Sequence, residues 1–198
     1  MSALEEIKIP ICWQTPPTQI LHALEIAEQL RESFVADSGI KRIPALANSN
    51  YYIAYHALKY LIDHGLAGDR SFCEWGSGFG VVTCIAAMLG YEATGIEIEP
   101  ELCRRARSLV KKVGVKAEFI QSSYRDEAAS DGSDEPSQSL APFPLGRGCS
   151  GVIYVYPWPA EEAYIESLFA RSGSTILVTY HGGATLRVRR QPSGSPTG

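Results

Sequence analysis

The stretch "FCEWGSGFG", residues 72–80, constrains the fold more than any other part of the chain. Three glycines, Gly76, Gly78 and Gly80, alternate with other residues, and an acid, Glu74, stands just ahead of them. The preceding "SFCEW" reads as a short apolar strand, and the following "VVTCIAAMLG" as an apolar helix closed by Gly90. Glycines at this density let backbone approach a ligand closely. A strand, a glycine turn and a helix together form the opening of an α/β unit.

The rest of the pattern extends that unit. "EATGIEIE" is a strand, "PELCRRARSLVKKVG" a helix opened by Pro100 and closed by Gly114, and "KAEFIQ" a further strand. "GVIYVYP", "AEEAYIESLFARSG" and "STILVTYHGG" continue as strand, helix and strand. "ATLRVRR" alternates apolar and basic residues, which predicts an edge strand with solvated charge. The alternation predicts an α/β fold: a three-layer, doubly wound, mostly parallel sheet. Upstream, apolar residues at Ile20, Leu24, Ala27, Leu30 and Phe34 predict a helix over 18–36, capped by Thr18, and "YYIAYHALKYLIDHG" predicts a second. At 198 residues the chain fits a single domain. Its expected parts are an N-terminal helical cap or extension (1–47), an α/β core (48–190) and a disordered tail (191–198). Residues 125–148, rich in Ser, Asp, Glu and Pro, predict a mobile insert within that core.

Composition narrows the function. The net charge of −4 gives no bulk basic patch, so nucleic acid is not the expected partner. No apolar run reaches the length of a membrane span, and "MSALEEIKIPICWQTPP" lacks the basic start and apolar core of a secretory signal. The five cysteines are scattered with no C-x-x-C pair, which fits reduced thiols in a cytoplasmic protein and predicts no metal site.

The charge beside the glycines points to their ligand. Val81 stands where the dinucleotide pattern G-x-G-x-x-G wants a small residue, and Glu74 would repel a pyrophosphate. S-adenosylmethionine carries a cationic ammonium and sulfonium, which Glu74 would favour, and backbone N–H groups at the next helix start would suit its carboxylate. Glu97 stands 21 residues beyond Gly76 and ends the next strand, where an acid holds a ribose diol. Glu99, two residues on, is its rival.

"EWGSGFG" followed by "GIEIEPELCRRAR" resembles the class I, seven-strand, Rossmann-like S-adenosylmethionine-dependent methyltransferases, over roughly residues 48–181. The resemblance implies S-adenosylmethionine as cofactor. It implies that Glu74, Gly76, Ser77, Gly78 and Gly80 line the methionine end, Glu97 the ribose and Ile98 the adenine. Many members carry an Asp after the third strand for the adenine amino group. Here Ser122 or Ser123 stands at that place, and Asp126 lies farther along. Tyr156-Pro157-Trp158-Pro159 follows the fourth strand, where acceptors approach in this family, but lacks the Asp or Asn of planar-amide methylating enzymes.

The chain therefore reads as an S-adenosylmethionine-dependent methyltransferase of unknown acceptor, a small molecule or a protein side chain. Tyr156, Pro157 and Trp158 are the candidate acceptor wall, and Tyr156 and His181 the candidate catalytic residues; Tyr180 and Glu161 are other possible bases, and Asn48, Asn50 and Tyr51 could face the methyl donor. A binding protein without turnover and an NAD-dependent oxidoreductase are the alternatives.

Overall fold

The computed structural model describes residues 4–10, 12–37, 49–125, 149–158 and 160–192. Residues 126–148 of the expected insert, residues 38–48 with Asn48, Pro159 and residues 193–198 of the tail lie outside them. The strands are β1 (Glu5–Ile7), β2 (Ser71–Trp75), β3 (Glu92–Glu97), β4 (Ala117–Gln121), β5 (Val152–Val155), β6 (Ile176–Tyr180) and β7 (Leu186–Arg190). The helices are α1 (Thr18–Asp37), α2 (Tyr51–Asp63), α3 (Val81–Met88), α4 (Pro100–Val113) and α5 (Glu162–Ser172).

All seven strands form one sheet in the order β1-β7-β6-β5-β2-β3-β4. Strands β2 to β6 run parallel, and β7 and β1 close one side in antiparallel pairings. Strands β2, β5 and β6 are buried along their whole length, which is why they read as unbroken apolar runs. Helices α1 to α4 cover one face, where Leu58, Phe72, Val82, Ile85 and Leu109 are core residues. Helix α5 covers the other with Ile165, Leu168 and Phe169 against Cys73, Ile153 and Leu177. After β2 the chain lays β3 and β4 to one side, then returns to lay β5 on the other. That change of direction opens a crevice at the carboxyl ends of β2 and β5. Among the described residues no helix is long and apolar enough to cross a membrane.

Three local expectations are corrected. The segment 184–190 is not an edge strand: β1, which apolar periodicity missed, pairs outside it. The basic residues of β7 are matched rather than solvated. Arg190 bonds Glu5 at 2.9 Å, and Arg189, nine-tenths buried, pairs with Glu166 and Glu162. The N-terminal segment is thus part strand and part helix. Thr18 is the first residue of α1 rather than its cap, since the carbonyl of Pro17 accepts from the Ile20 and Leu21 N–H groups.

Gly80 shows what the sheet demands of the turn after β2. It takes φ +72°, and a Cβ there would lie 2.5 Å from the Phe119 ring and 2.7 Å from the Ala106 Cβ. Gly114, which ends α4, takes φ +80° with nothing within 4 Å of such a Cβ. Gly114→Ala should therefore cost about 1–2 kcal/mol, the penalty for left-handed backbone alone. Gly80→Ala adds overpacking to that penalty and should cost roughly 2–5 kcal/mol. Urea unfolding of the two variants checks the difference.

Candidate functional site

The turn from β2 into α3 is tied to β3. The Gly76 and Ser77 N–H groups both donate to the Ile96 carbonyl, at 2.9 and 2.8 Å. The Gly78 N–H donates to Oε2 of Glu97 at 2.8 Å, and the Glu99 N–H to its Oε1 at 3.0 Å. A carboxylate offers about four acceptor sites. Backbone fills two and fixes the orientation, leaving two on a buried group that lines the crevice. Gly76, Ser77 and Gly78 line the same cavity. The Ser77 hydroxyl is buried in that wall with no partner among the described residues. Gly80 is not part of the lining; its freedom serves packing against Phe119.

Glu74 projects from the end of β2, paired in register with Gly95 and so on the same face of the sheet as Glu97. Its Oε2 accepts two bonds from Thr83 in the first turn of α3, from the N–H at 2.9 Å and from Oγ1 at 2.5 Å. A carboxylate on the open end of a helix satisfies an orphan donor. The expected place for a ligand carboxylate at this helix start is thus already partly filled by Glu74. Burial pushes the Glu74 pKa up to about 8, against the pull of the Thr83 bonds, with the nearby Glu97 charge adding to the rise. Around it stand Tyr51 from α2 and Tyr154 from β5, both pushed above the ordinary tyrosine range by burial. The Tyr154 hydroxyl donates to Oγ of Ser49 at 2.9 Å.

The cavity measures about 870 Å³, within the usual range for small-molecule sites. Along one wall it meets Ile98, which is 53% exposed, then Ser122 and Ser123. The Ser122 N–H donates to the Glu97 carbonyl at 3.1 Å, and Ser123 Oγ accepts from the Arg125 N–H at 3.0 Å. Trp75 and Tyr124 stack nearly parallel at 5.6 Å beside the glycines. Asp126 lies outside the described residues.

The far end of the cavity is aromatic. Tyr156, Pro157, Trp158 and His181 all line it. Tyr156 meets Tyr180 edge-to-face at 4.8 Å, and Trp158 is 49% exposed, too open for a core residue. Glu161 holds the Trp158 backbone, accepting its N–H at 3.2 Å, and pairs with Arg125. The ring nitrogen Nε2 of His181 lies 2.9 Å from Oγ1 of the buried Thr179. Burial lowers the His181 pKa below its ordinary value, so the imidazole is neutral near pH 7. Asn50 caps α2 through Ile53 and donates to the Gly183 carbonyl; it is not in the lining, nor are Tyr180 and Glu161. Tyr51 and Glu99 are.

The crevice thus gathers every candidate cofactor residue except Gly80, and all three of the candidate acceptor wall. Sequence reasoning missed Thr83, Ser49, Tyr154, Trp75, Tyr124 and Arg125. Thr83 sits inside an apolar helix, Tyr154 inside an apolar strand, and neither position carries a pattern that separates a site residue from core. Among the described residues no group of three or more His, Cys, Asp or Glu could hold a metal ion.

No family model matches the chain. A curated relative, a ribosomal protein L11 methyltransferase from Thermus thermophilus, is 29% identical over 130 residues, covering 66% of this chain. The chain spans 45% of that relative's length. Among solved structures, a putative O-methyltransferase from Klebsiella pneumoniae matches with a TM-score of 0.52 at 11% identity, over 84% of this chain and 66% of its own. A 16S rRNA N2 methyltransferase from T. thermophilus, in complex with AdoMet and guanosine, matches with a TM-score of 0.50 at 14% identity, over 76% of this chain and 45% of its own. The fold is that of the class I methyltransferases.

The buried Glu74 makes stability depend on pH. Its folded pKa of about 8 lies above the ordinary 4.5, so the proton stabilises the fold. That contribution is whole below about 4.5 and is lost as pH rises through about 8. The ligand-free protein should melt at progressively lower temperature over this window. Glu74→Gln, which cannot ionise, should flatten the trend in a series of thermal melts.

Proposed function

We propose that the protein is an S-adenosylmethionine-dependent methyltransferase whose acceptor is a small molecule or a protein side chain. The observation that carries this reading is that Glu74 and Glu97, at the ends of adjacent strands beside the glycine turn, are each pre-oriented by donors from the protein itself. S-adenosylmethionine, when bound, supplies an electrophilic methyl group on a sulfonium. The residues present suit it. Glu74, once ionised, would offer a negative group to the cationic end, Glu97 keeps acceptor capacity for a diol, and the Ser77 hydroxyl has no polar partner among the described residues. Ile98 gives an exposed apolar surface for a flat base, with Ser122 and Ser123 beside it.

On the acceptor side, Tyr156, Pro157 and Trp158 form a wall that orients the incoming group and sheds water. Such positioning supplies much of the rate of an in-line displacement. His181, neutral and held by Thr179, is the group able to take a proton when the acceptor must lose one. Tyr156 is the second candidate for that role. Arg125 is the one Arg or Lys among the described lining residues, and it is paired with Glu161. That offers little to a chain of phosphates, which supports an acceptor other than nucleic acid.

Calorimetry should find binding of S-adenosylmethionine and of its demethylated product, and none of NAD; the reverse result would sink the proposal. Glu97→Ala should weaken cofactor binding by roughly 1.5–3 kcal/mol, the range for hydrogen bonds to a charged group. Trp158→Ala should leave the melting temperature and cofactor affinity nearly unchanged. Label from methyl-labelled S-adenosylmethionine should then fail to reach the acceptor that the wild-type protein methylates in extract.

A further inference from the structure

We propose, resting on the cofactor reading above, that Thr83 is a positioning residue that fixes the Glu74 carboxylate for a cationic ligand. Thr83 is completely buried in the first turn of α3. It donates twice, through backbone and side chain, and both bonds fall on the same oxygen of Glu74, Oε2. No donor among the described residues meets the other oxygen, and Glu74 lines the cavity. One oxygen is thus an anchor and the other is left for the ligand. An isolated helix start could bind either oxygen and would let the carboxyl rotate. The hydroxyl and the N–H together form a two-point clamp on one atom.

The surroundings give the clamp its importance. The ionisable groups facing Glu74 are Glu97 from β3, Tyr51 from α2 and Tyr154 from β5, with Cys73 next to it in β2 on the opposite face. None of these supplies a positive charge, and the Glu97 charge opposes ionisation of Glu74. The Thr83 bonds act the other way and favour the carboxylate over the acid. Cofactor binding needs the ionised form, because the attraction is to a sulfonium and an ammonium. Thr83 therefore sets both the direction of the carboxylate and the pH range in which it is available. Valine has nearly the same shape as threonine and would fill the same space, so packing alone does not require the hydroxyl.

The test compares Thr83→Val and Thr83→Ser with the wild-type protein. Carbon-13-labelled glutamate allows the Glu74 carboxyl to be titrated by NMR without ligand. Thr83→Val should move its midpoint to higher pH, and Thr83→Ser should return it to the wild-type position. In calorimetry, S-adenosylmethionine affinity near pH 7 should fall about ten-fold in Thr83→Val, the worth of one pKa unit, and recover in Thr83→Ser. Should the valine protein not fold, Thr83→Ala against Thr83→Ser gives the same comparison. An unmoved Glu74 midpoint in a folded variant lacking the hydroxyl would overturn the proposal, as would a serine variant that behaves like valine. A wild-type protein that binds no S-adenosylmethionine would overturn the functional reading instead, and the carboxyl titration would still decide the role of Thr83.

Discussion

The turn between β2 and α3 closes because β3 receives it at two points. The Ile96 carbonyl takes two N–H groups, and Glu97 takes a third. Bare backbone is needed for the approach. A Cβ on Gly95 would lie 2.7 Å from the Phe119 ring and 2.8 Å from the Ser77 Cβ, so β3 lies close beneath the turn. The same Phe119 ring packs against Gly80, where a Cβ would lie 2.5 Å from it. One aromatic side chain of β4 is therefore wedged between the strand and the helix start, and the turn has little room to move. A site held this way has less freedom to lose when a ligand arrives.

Charge is distributed unevenly along the crevice. At the glycine end two buried carboxyl groups line the cavity, with no cation paired to either among the described residues. At the aromatic end the charges are matched, Arg125 with Glu161 and Glu162 with Arg187 and Arg189. A buried carboxyl whose ionisation a second acid opposes works against folding as pH rises, which is the local inconsistency expected where a structure serves a ligand rather than its own stability. A doubly positive ligand end would remove it. The matched charges at the other end ask for no such compensation.

Much of this was legible in the sequence. Strand β2 and helices α2, α3 and α4 fall within a residue or two of their expected bounds, because Gly65, Gly90 and Gly114 mark their ends and Pro100 a start. The crevice residues followed from one glycine turn and one acid at a fixed distance. Two kinds of information were not legible. Three-residue β1 is too short for periodicity, and its only sign is charge: the "EE" of Glu5 and Glu6 faces Arg190 and Arg189 across the ladder. Side-chain bonds such as Thr83 to Glu74 depend on where a helix turn places one hydroxyl, and no spacing rule encodes that. The three alternating glycines also looked equivalent, yet two line the cavity and Gly80 serves packing.

The pairing of β1 with β7 bears on the order in which the chain folds. Glu5 and Arg190 are 185 residues apart, and they meet at the rim of the sheet. The parallel body from β2 to β6 has its own buried faces, to one of which Val188 of β7 and Ile7 of β1 add. During synthesis β1 emerges first but has no partner until β7 has been made. Contacts of such long sequence separation come late, since the entropy of closing the loop precedes any gain from the contact. The two ends of the described chain thus act as one fastening. Until it is made, the outer edge of β7 stands open as a row of unpaired backbone groups, the kind of surface through which nascent chains find one another.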